Sequence, residues 1–340
     1  MRFGAHYLPT YVPELDGSFA DFYRSMFEQI EELDRLGFHD VWITEHHFSH
    51  YGGTVPHPPT FLSAAARTTR RIRLGVALSV LPLHRPLDVA ESYAMADVIS
   101  NGRLEFGVGR GNEPIEFKKL GLSQETSGRH VREAIEVIRQ AWSDDPVDFS
   151  GELFEYHGVN VFPKPVQRPH PPLWAGARSE ETFHWAGENG FHLMTLPYMS
   201  PSAEAMREGF RIYREAQARA GHGKRDILGK FHVYVSDSWE QAVREATPYL
   251  DNYQKTHRAA DPSRKLRNRV DMNSQADEGF IIAGDPQRCI DAIRYWREEV
   301  GLTTLSGTFH FGGLPQELAM KNIRMFAERV MPSFEKESGA

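Results

Sequence analysis

The sequence contains a single cysteine, Cys289, among its 340 residues. One cysteine excludes an intrachain disulfide and any metal centre built on a cysteine cluster. Basic tracts are also missing, and the formal net charge is −7. Because nucleic acids are bound through clustered lysine and arginine side chains, this composition argues against nucleic-acid binding.

Long apolar runs are absent as well. No stretch approaches the roughly 18 residues that a membrane span requires, and the first residues lack the hydrophobic core of a signal peptide. The sequence also has no repeat of about 20–50 residues and no low-complexity tract. These absences favour a cytoplasmic enzyme that binds no membrane.

Short apolar runs alternate with helical periodicities along the chain. The runs that predict strands are Arg2–Tyr7, Asp40–Thr44, Ile72–Leu78, Arg103–Val108, Leu173–Ala175, Phe191–Thr195, Lys230–Val235 and Thr304–Phe309. The periodicities predict helices that include Pro59–Arg70, Leu87–Ser100, Ile115–Trp142, Trp239–Tyr253 and Pro286–Val300. Eight such units favour an α/β fold, a closed (β/α)8 TIM barrel, over an open sheet.

Two polar segments interrupt this alternation and are predicted to be insertions in a single domain over residues 1–340. The first, about 144–172, is rich in proline and contains a predicted hairpin at Phe149–Tyr156. The second, about 255–283, contains Lys255–Gln275, which is charged and has almost no apolar periodicity.

Residues that follow the strands are the candidates for a site, because TIM barrels place their active sites at the carboxyl ends of the strands. Glu45, His46 and His47 follow the second predicted strand. They can transfer protons, bind a metal, or be ordinary solvated loop residues. Adjacent side chains in extended backbone point to opposite sides, so His46 and His47 are not expected to share an ion, and no metal is predicted.

Arg110 lies in a glycine-rich run that begins at Gly107, at the end of the fourth predicted strand, and extends to Asn112. Glycines allow the backbone to approach a ligand closely, and the planar guanidinium suits a phosphate. The run has neither the lysine of a Walker loop nor the spacing of a dinucleotide fingerprint. A plain glycine-rich turn with a surface arginine is the alternative.

Ser179 follows the fifth predicted strand and is a candidate helix N-cap, with Thr182 at the spacing of a capping box. Free N–H groups in the first helical turn bind anions, although an ordinary cap explains the serine as well. Glu180 and Glu181 follow directly and repel anions. A phosphate at this helix therefore requires Arg110, Arg178 or both.

The segment after the third predicted strand is apolar for a loop at the active face. It reads Ala77-Leu78-Ser79-Val80-Leu81-Pro82. Such a surface suits the flat face of a tricyclic ring, and core packing explains it nearly as well.

Three runs resemble segments of the bacterial luciferase α subunit, in the same order and at similar spacing. They are Glu45-His46-His47-Phe48, the run GRLEFGVGRG from Gly102 to Gly111, and the run GDPQRCID from Gly284 to Asp291. A shorter match, Val330-Met331-Pro332, lies near the carboxyl end. The resemblance covers essentially the whole chain. It makes the chain similar to the bacterial luciferase-like monooxygenases, which are TIM barrels that use reduced flavin.

The resemblance implies a set of FMN-binding residues. Arg110, Ser179 and Thr182, with the backbone of Arg178, would bind the phosphate, and Asn112 belongs to the same set. The Ala77–Leu78 bond falls where relatives have a non-proline cis peptide under the flavin.

The resemblance also implies catalytic roles. His46 matches the proton-transfer histidine beside the flavin C4a adduct, and Glu45 would lie near the isoalloxazine and tune that histidine. Lys255–Gln275 matches the family's mobile lid. Gly109 stands where luciferase has a reactive cysteine, which argues against light emission, and Tyr198 is the candidate for the aromatic residue over the flavin.

The implied activity is that of an FMNH2-dependent monooxygenase, which activates O2 as a flavin C4a-(hydro)peroxide and oxygenates a small organic substrate. No nicotinamide site is evident in the sequence, so a separate flavin reductase would supply FMNH2. A homodimer is expected, because the helices at Pro59–Arg70 and Leu87–Ser100 are apolar on more than one face. A deazaflavin (F420)-dependent oxidoreductase of the same fold and a non-catalytic flavin-binding protein remain as alternatives.

Overall fold

The computed structural model describes residues 1–260, 272–277 and 281–335. Its strands are β1 (Arg2–Tyr7), β2 (Asp40–Ile43), β3 (Arg73–Val80), β4 (Leu104–Gly109), β5 (Val147–Ser150), β6 (Glu155–Val159), β7 (Leu173–Gly176), β8 (His192–Thr195), β9 (Ile227–Val235), β10 (Ile281–Gly284) and β11 (Thr304–Thr308). Its α-helices are α1 (Pro13–Asp16), α2 (Phe19–Leu36), α3 (Pro58–Thr68), α4 (Pro86–Ser100), α5 (Pro114–Leu120), α6 (Ser127–Trp142), α7 (Glu180–Glu188), α8 (Ala203–Arg219), α9 (Trp239–Ala260), α10 (Met272–Asp277), α11 (Pro286–Tyr295), α12 (Gln316–Arg329) and α13 (Pro332–Glu335).

Eight parallel strands form a closed barrel, as predicted. Their order around the barrel is β1, β2, β3, β4, β7, β8, β9 and β11, and β11 pairs back with β1. The buried apolar side chains lie mainly between these strands and the surrounding helices. The carboxyl ends of all eight strands therefore open on one face, where a TIM barrel carries its site.

Local sequence signals account for several helix boundaries. Ser18 caps α2 in a capping box with Asp21, and Gly37 ends the helix in the left-handed region at φ 85°. Both α3 and α4 begin with a proline, which suits the first helical turn because proline has no N–H to leave unpaired. The predicted hairpin is confirmed, since β5 and β6 pair antiparallel within the first insertion.

Two predictions about helices differ from the structure. The single helix expected over Ile115–Trp142 is two helices, α5 and α6, because Gly121 ends α5 in the left-handed region at φ 69°. The helix expected to end near Tyr253 continues to Ala260, so the first part of the predicted lid is helical. Residues 261–271, the centre of that predicted lid, lie outside the described residues.

An additional strand was not predicted. β10 falls at the end of the segment assigned to the second insertion, and it pairs in parallel with the last residues of β9, from His232 to Val235. Its four residues are all buried. A run of four apolar residues at the end of a charged segment is too short to produce a clear periodicity.

Across the described ranges, none of the helices combines the length and the apolar character that crossing a membrane requires.

Candidate active site

The lumen of the barrel is closed at its amino-terminal end by two tryptophans. The rings of Trp42 and Trp174 meet edge to face with their centroids 5.1 Å apart. Their indole N–H groups donate to the carboxylates of Asp40 and Glu105, each at 2.6 Å. With both tryptophans nearly fully buried, this floor leaves only the carboxyl-terminal part of the lumen for a ligand.

Leu78 covers one side of the lumen above this floor. The Ala77–Leu78 peptide bond is cis, as the resemblance implied, and the pairing of β3 with β4 shifts register there. A Cβ added to any of three glycines of β4 and β7 would lie close to a side-chain atom of Leu78. The distance from this Cβ to the Leu78 atom would be 3.0 Å at Gly107, 2.7 Å at Gly109 and 2.4 Å at Gly176. Gly109 and Gly176 therefore make room for Leu78, which packs against the apolar cluster of the floor, whereas a Cβ at Gly107 would first meet the carbonyl oxygen of Val76 at 2.3 Å.

His46 lies at the barrel mouth just beyond β2, the strand that pairs with β3. Its side chain is 14% exposed, and its Nδ1 lies 3.2 Å from Oε1 of Glu116, in α5. The same carboxylate oxygen accepts the backbone N–H of His47 at 2.7 Å. Glu116 thus orients the His46 ring, and when Nδ1 carries the proton, Nε2 is left as a proton acceptor.

The expectation that Glu45 tunes His46 is wrong. The buried Glu45 carboxylate receives hydrogen bonds from His47 at 3.1 Å, His84 at 2.6 Å and the backbone N–H of Val80 at 3.1 Å. The side chains of His46 and His47 point in opposite directions because they are adjacent in extended backbone. The Glu45 carboxylate, which contacts the His47 ring, therefore does not also contact the His46 ring. The carboxylate from α5 takes the role that the sequence assigned to Glu45.

The cluster of Glu45, His47 and His84 is held together electrostatically. Burial by itself raises the pKa of Glu45, but the hydrogen bonds and charges of the two histidines outweigh it and lower that pKa to about 2. Burial lowers the pKa of His84, and Glu45 reverses this and raises it overall. The ligand-type atoms of the three residues lie within 4.8 Å of one another, and hydrogen bonds to the carboxylate account for that proximity.

The predicted phosphate residues lie on two neighbouring strands. Arg110 directly follows β4, Arg178 follows β7, and these strands pair with each other. Both arginines and Ser179 are exposed. The predicted capping box is confirmed: Ser179 Oγ accepts from the Thr182 N–H at 3.4 Å, and Thr182 Oγ1 accepts from the N–H groups of Ser179 and Arg178 at 3.0 Å. Asn112, two residues beyond Arg110, is also exposed.

Glu181 lies in the first turn of α7, where a carboxylate would repel a phosphate. Its carboxylate is paired with Arg132 of α6 at 2.7 Å. This pair draws the acid towards α6. Two exposed guanidiniums and one capped helix amino terminus, all at one edge of the barrel mouth, fit a single phosphate.

Another side of the lumen carries a group of polar side chains that were not predicted from sequence, and we call this group the basic wall. Phe231 packs outward against Trp296, with centroids 5.2 Å apart, and Phe3 packs outward against Phe326 at 5.4 Å. Because side chains alternate along a strand, their neighbours face the lumen. The basic wall consists of His6 from β1, Lys230 and His232 from β9, and Ser306 and Thr308 from β11, all buried.

An aromatic roof lies between the basic wall and His46. The ring of His232 contacts Tyr253 at 5.0 Å and Tyr198 at 5.9 Å between centroids. The hydroxyl of Tyr253 is 3.0 Å from that of Tyr51, whose ring is 6.0 Å from His46. Tyr198, predicted to cover the flavin, therefore lies above the basic wall.

The sequence is similar to proteins of one known family along most of its length. The model of the luciferase-like monooxygenase family matches residues 1–304. An uncharacterized protein of Sinorhizobium fredii is 37% identical over 66% of each chain. The oxygenase component of a flavin-dependent trigonelline monooxygenase from Acinetobacter baylyi is 30% identical over 65% of this chain and 61% of its own. The matches thus span slightly less than two thirds of these two relatives.

Solved structures agree over nearly the full length. A monooxygenase from Streptomyces bottropensis superposes with a TM-score of 0.91 at 30% identity, covering 98% of this chain and 100% of its own. At 20% identity, the oxygenating constituent of 3,6-diketocamphane monooxygenase from Pseudomonas putida, solved with FMN, covers 98% of each chain with a TM-score of 0.81. An F420-dependent tetrahydromethanopterin reductase from Methanopyrus kandleri, also at 20%, covers 98% of this chain and 99% of its own with a TM-score of 0.71. The last two share the fold. On the family match across the barrel and the match at 30% identity, the chain belongs to the luciferase-like monooxygenase family.

Proposed function

We propose that the chain is a flavin-dependent monooxygenase that uses reduced FMN and O2 to oxygenate a small organic substrate at the carboxyl-terminal mouth of the barrel. The observation that carries this proposal is the placement of three features around one mouth. They are an oriented histidine, His46, an apolar surface at Leu78, and the exposed Arg110 beside the strand that leads to the Ser179 cap, where we propose that a phosphate binds.

The donor set fits FMN. Leu78 offers an apolar surface to a flat ring, and the exposed guanidiniums of Arg110 and Arg178 lie at the amino terminus of α7, where a terminal phosphate would bind. When bound, reduced FMN supplies the electrons that activate O2. The residues of the chain bind its phosphate, exclude water from its ring, and hold a proton at His46 next to the reacting atoms.

The test is turnover with a chemically defined reductant. Photoreduced FMN, O2 and a panel of aldehydes, ketones, sulfonates and aromatic compounds should give an oxygenated product that contains one atom of 18O2. NADH should not replace reduced FMN unless a separate flavin reductase is added. Substrate reduction by reduced F420 without O2 would instead assign the chain to the deazaflavin oxidoreductases, and FMN binding without either reaction would make it a flavin-binding protein.

Removal of the Arg110 guanidinium should weaken FMN binding. We expect Arg110→Ala to cost about 1.5–3 kcal/mol of binding free energy, the usual scale for a hydrogen bond to a charged group. Equilibrium titration with FMN measures it, and FMN should bind more tightly than FAD. Arg67→Ala is the matched control, because Arg67 is exposed at the end of α3, at the opposite end of the barrel. Unchanged FMN affinity in Arg110→Ala would place the phosphate elsewhere.

We also propose a homodimer through α4. Three apolar side chains of this helix are exposed, Met95, Val98 and Ile99. Val166 is exposed as well, and a hydrogen bond of 2.7 Å from its N–H to Asp97 holds it beside the helix. Contiguous exposed apolar surface of this kind is typical of protein–protein contacts.

Sedimentation equilibrium at micromolar concentration should give a mass of twice the 38.8 kDa of one chain. Val98→Lys should shift the equilibrium to monomer, because it places a charge in the apolar contact. Leu122→Lys alters a side chain of similar exposure between α5 and α6 and should leave the mass unchanged. A single-chain mass for the unaltered protein would exclude the dimer.

A further inference from the structure

The basic wall contains donors that no acceptor of the described residues satisfies. Lys230 is 2% exposed and forms no hydrogen bond or ion pair there. Within the same residues, Nδ1 of His6, Nε2 of His232, Oγ of Ser306 and Oγ1 of Thr308 are buried without a partner. A buried polar group left unpaired costs about 1–3 kcal/mol, and more when it is charged. Four such atoms beside an unpaired ammonium leave this wall able to bind a polar ligand.

Strand register brings these side chains together. Ser306 is paired with Lys230 and Thr308 with His232 across β11 and β9, and Gly4 of β1 is paired with Ser306. The wall therefore presents an ammonium, two imidazoles and two hydroxyls within two layers of the lumen. All five groups can donate a hydrogen bond, and the Lys230 ammonium can only donate, so a ligand that satisfies this ammonium presents acceptor atoms to it.

The net charge of the basic wall indicates which charge a bound acceptor group should carry. Burial lowers the pKa of His232 to about 3, with a further contribution from Lys230. Burial, followed by the charges of Lys230, His232 and His46, lowers the pKa of His6 well below its usual range. Both imidazoles are neutral at pH 7, so Lys230 supplies the only positive charge of the wall. One charge matches a monoanion rather than a doubly charged phosphate.

The acids of the lumen do not neutralise Lys230. Asp40 accepts from Trp42 and contacts His39 at 2.8 Å, and Glu105 accepts from Trp174 and pairs with Arg73. These groups form the floor. Above them, the side opposite the basic wall is apolar at Leu78, and the roof is aromatic.

We propose that the substrate is an organic carboxylate with an apolar or aromatic body, and that the basic wall binds its carboxylate through Lys230. His6, His232, Ser306 and Thr308 complete the hydrogen bonds of the two oxygens. The identification of this anion as the substrate rests on the proposed oxygenase function. The carboxylate site itself is defined by the lumen and can be tested without turnover.

Benzoate and benzamide are suitable probes, since they have the same shape and differ in charge. We expect calorimetric titration of the full-length protein, with saturating oxidised FMN, to show benzoate binding about tenfold to a hundredfold more tightly than benzamide, the range expected of a charged hydrogen bond. Lys230→Met should abolish this preference. Lys224→Met removes an exposed lysine of the same charge and should retain it.

Proton uptake gives a second readout. Burial lowers the pKa of the Lys230 ammonium to about 7, so most Lys230 side chains are neutral at pH 8 and must gain a proton when an anion binds. Binding heats in buffers of different ionisation enthalpy should report uptake of about one proton per benzoate at pH 8. Lys230→Met should show none. Of the other titratable groups at the wall, His6 and His232 remain in that variant and serve as its internal control.

Several outcomes would overturn the carboxylate site. The first is equal affinity for benzoate and benzamide, and the second is an unchanged preference for benzoate in Lys230→Met. The third is a Lys230→Met variant that loses FMN affinity and retains benzoate binding, because this result would assign the basic wall to the flavin. The preference for benzoate in a protein that binds no FMN would support the carboxylate site and contradict the oxygenase proposal. The two proposals therefore fail separately.

Discussion

Replacement of His46 by alanine is expected to lower the rate of substrate oxygenation by about 10²–10⁴-fold, the usual contribution of a positioned acid or base. The ring faces the barrel mouth and is held by Glu116, so its loss removes a proton carrier that no neighbouring group replaces in the same position. FMN affinity should stay within about tenfold, because the phosphate residues lie on other strands. Oxygen should then be diverted to hydrogen peroxide.

His47→Ala is the matched control for this variant. His47 contacts Glu45 rather than the lumen, and Glu45 retains His84 and the Val80 N–H as partners. Its oxygenation rate should therefore fall much less. Stopped-flow absorbance of reduced FMN mixed with O2, together with product and peroxide yields, distinguishes the variants. A crippled His47→Ala beside a near-normal His46→Ala would show that the proton carrier is the other histidine.

Glu116→Gln separates orientation from proton transfer. Glutamine keeps the size of the side chain and can accept one hydrogen bond, but it no longer prefers a protonated Nδ1. The oxygenation rate should fall by less than in His46→Ala, and its pH profile should change while the KM for substrate stays constant. An unchanged pH profile would make Glu116 a structural partner of the His47 N–H alone.

Substitution of Lys230 by methionine is expected to stabilise the empty protein by up to about 5 kcal/mol at pH 6. Burial lowers the pKa of this ammonium from 10.5 to about 7, and each unit is worth about 1.36 kcal/mol. The unfolded chain binds the proton more strongly than the folded chain, so the penalty is complete below pH 7. It declines as the pH rises from 7 through 10.5, and it vanishes above that pH, where both states are neutral.

Urea unfolding at pH 6, 8 and 9.5 measures this difference. The free energy of unfolding of the wild-type protein should approach that of Lys230→Met as the pH increases, with about 1 kcal/mol remaining near pH 9.5–10. Groups outside the basic wall titrate alike in both proteins and cancel in the difference. Lys224→Met should differ from the wild type by a small amount that does not depend on pH. A less stable Lys230→Met would identify the lysine as a packing element of the barrel.

The barrel could be predicted from sequence because its signals are local. Eight apolar runs and the capping box at Ser179 each depend on residues close together in the chain. The strand at Ile281–Gly284 and the break at Gly121 were missed, since a short apolar run and a single glycine carry weak signals within long polar or helical segments.

The side-chain contacts of the site could be predicted only in part. The partner of His46 lies 70 residues further along the chain, and only the packing of α5 against the mouth brings Glu116 to it. The basic wall did have a signal. In β9, Lys230 and His232 alternate with the outward residues of a strand, as Ser306 and Thr308 do in β11. Polar residues at alternate positions of a strand assigned to a closed barrel can point only to the lumen or to the helices.

Leu78 is coupled to Gly109 and Gly176 during evolution or in a mutant library. A side chain at the position of Gly109 requires Leu78 to move or to be replaced by a smaller residue, since a Cβ there would lie 2.7 Å from Leu78 Cδ1. The identities of these paired positions should therefore covary and sort homologues into subgroups with differently shaped lumens. Libraries randomised at Gly109 alone force Leu78 to shift, whereas libraries that also shorten Leu78 will sample new lumen shapes.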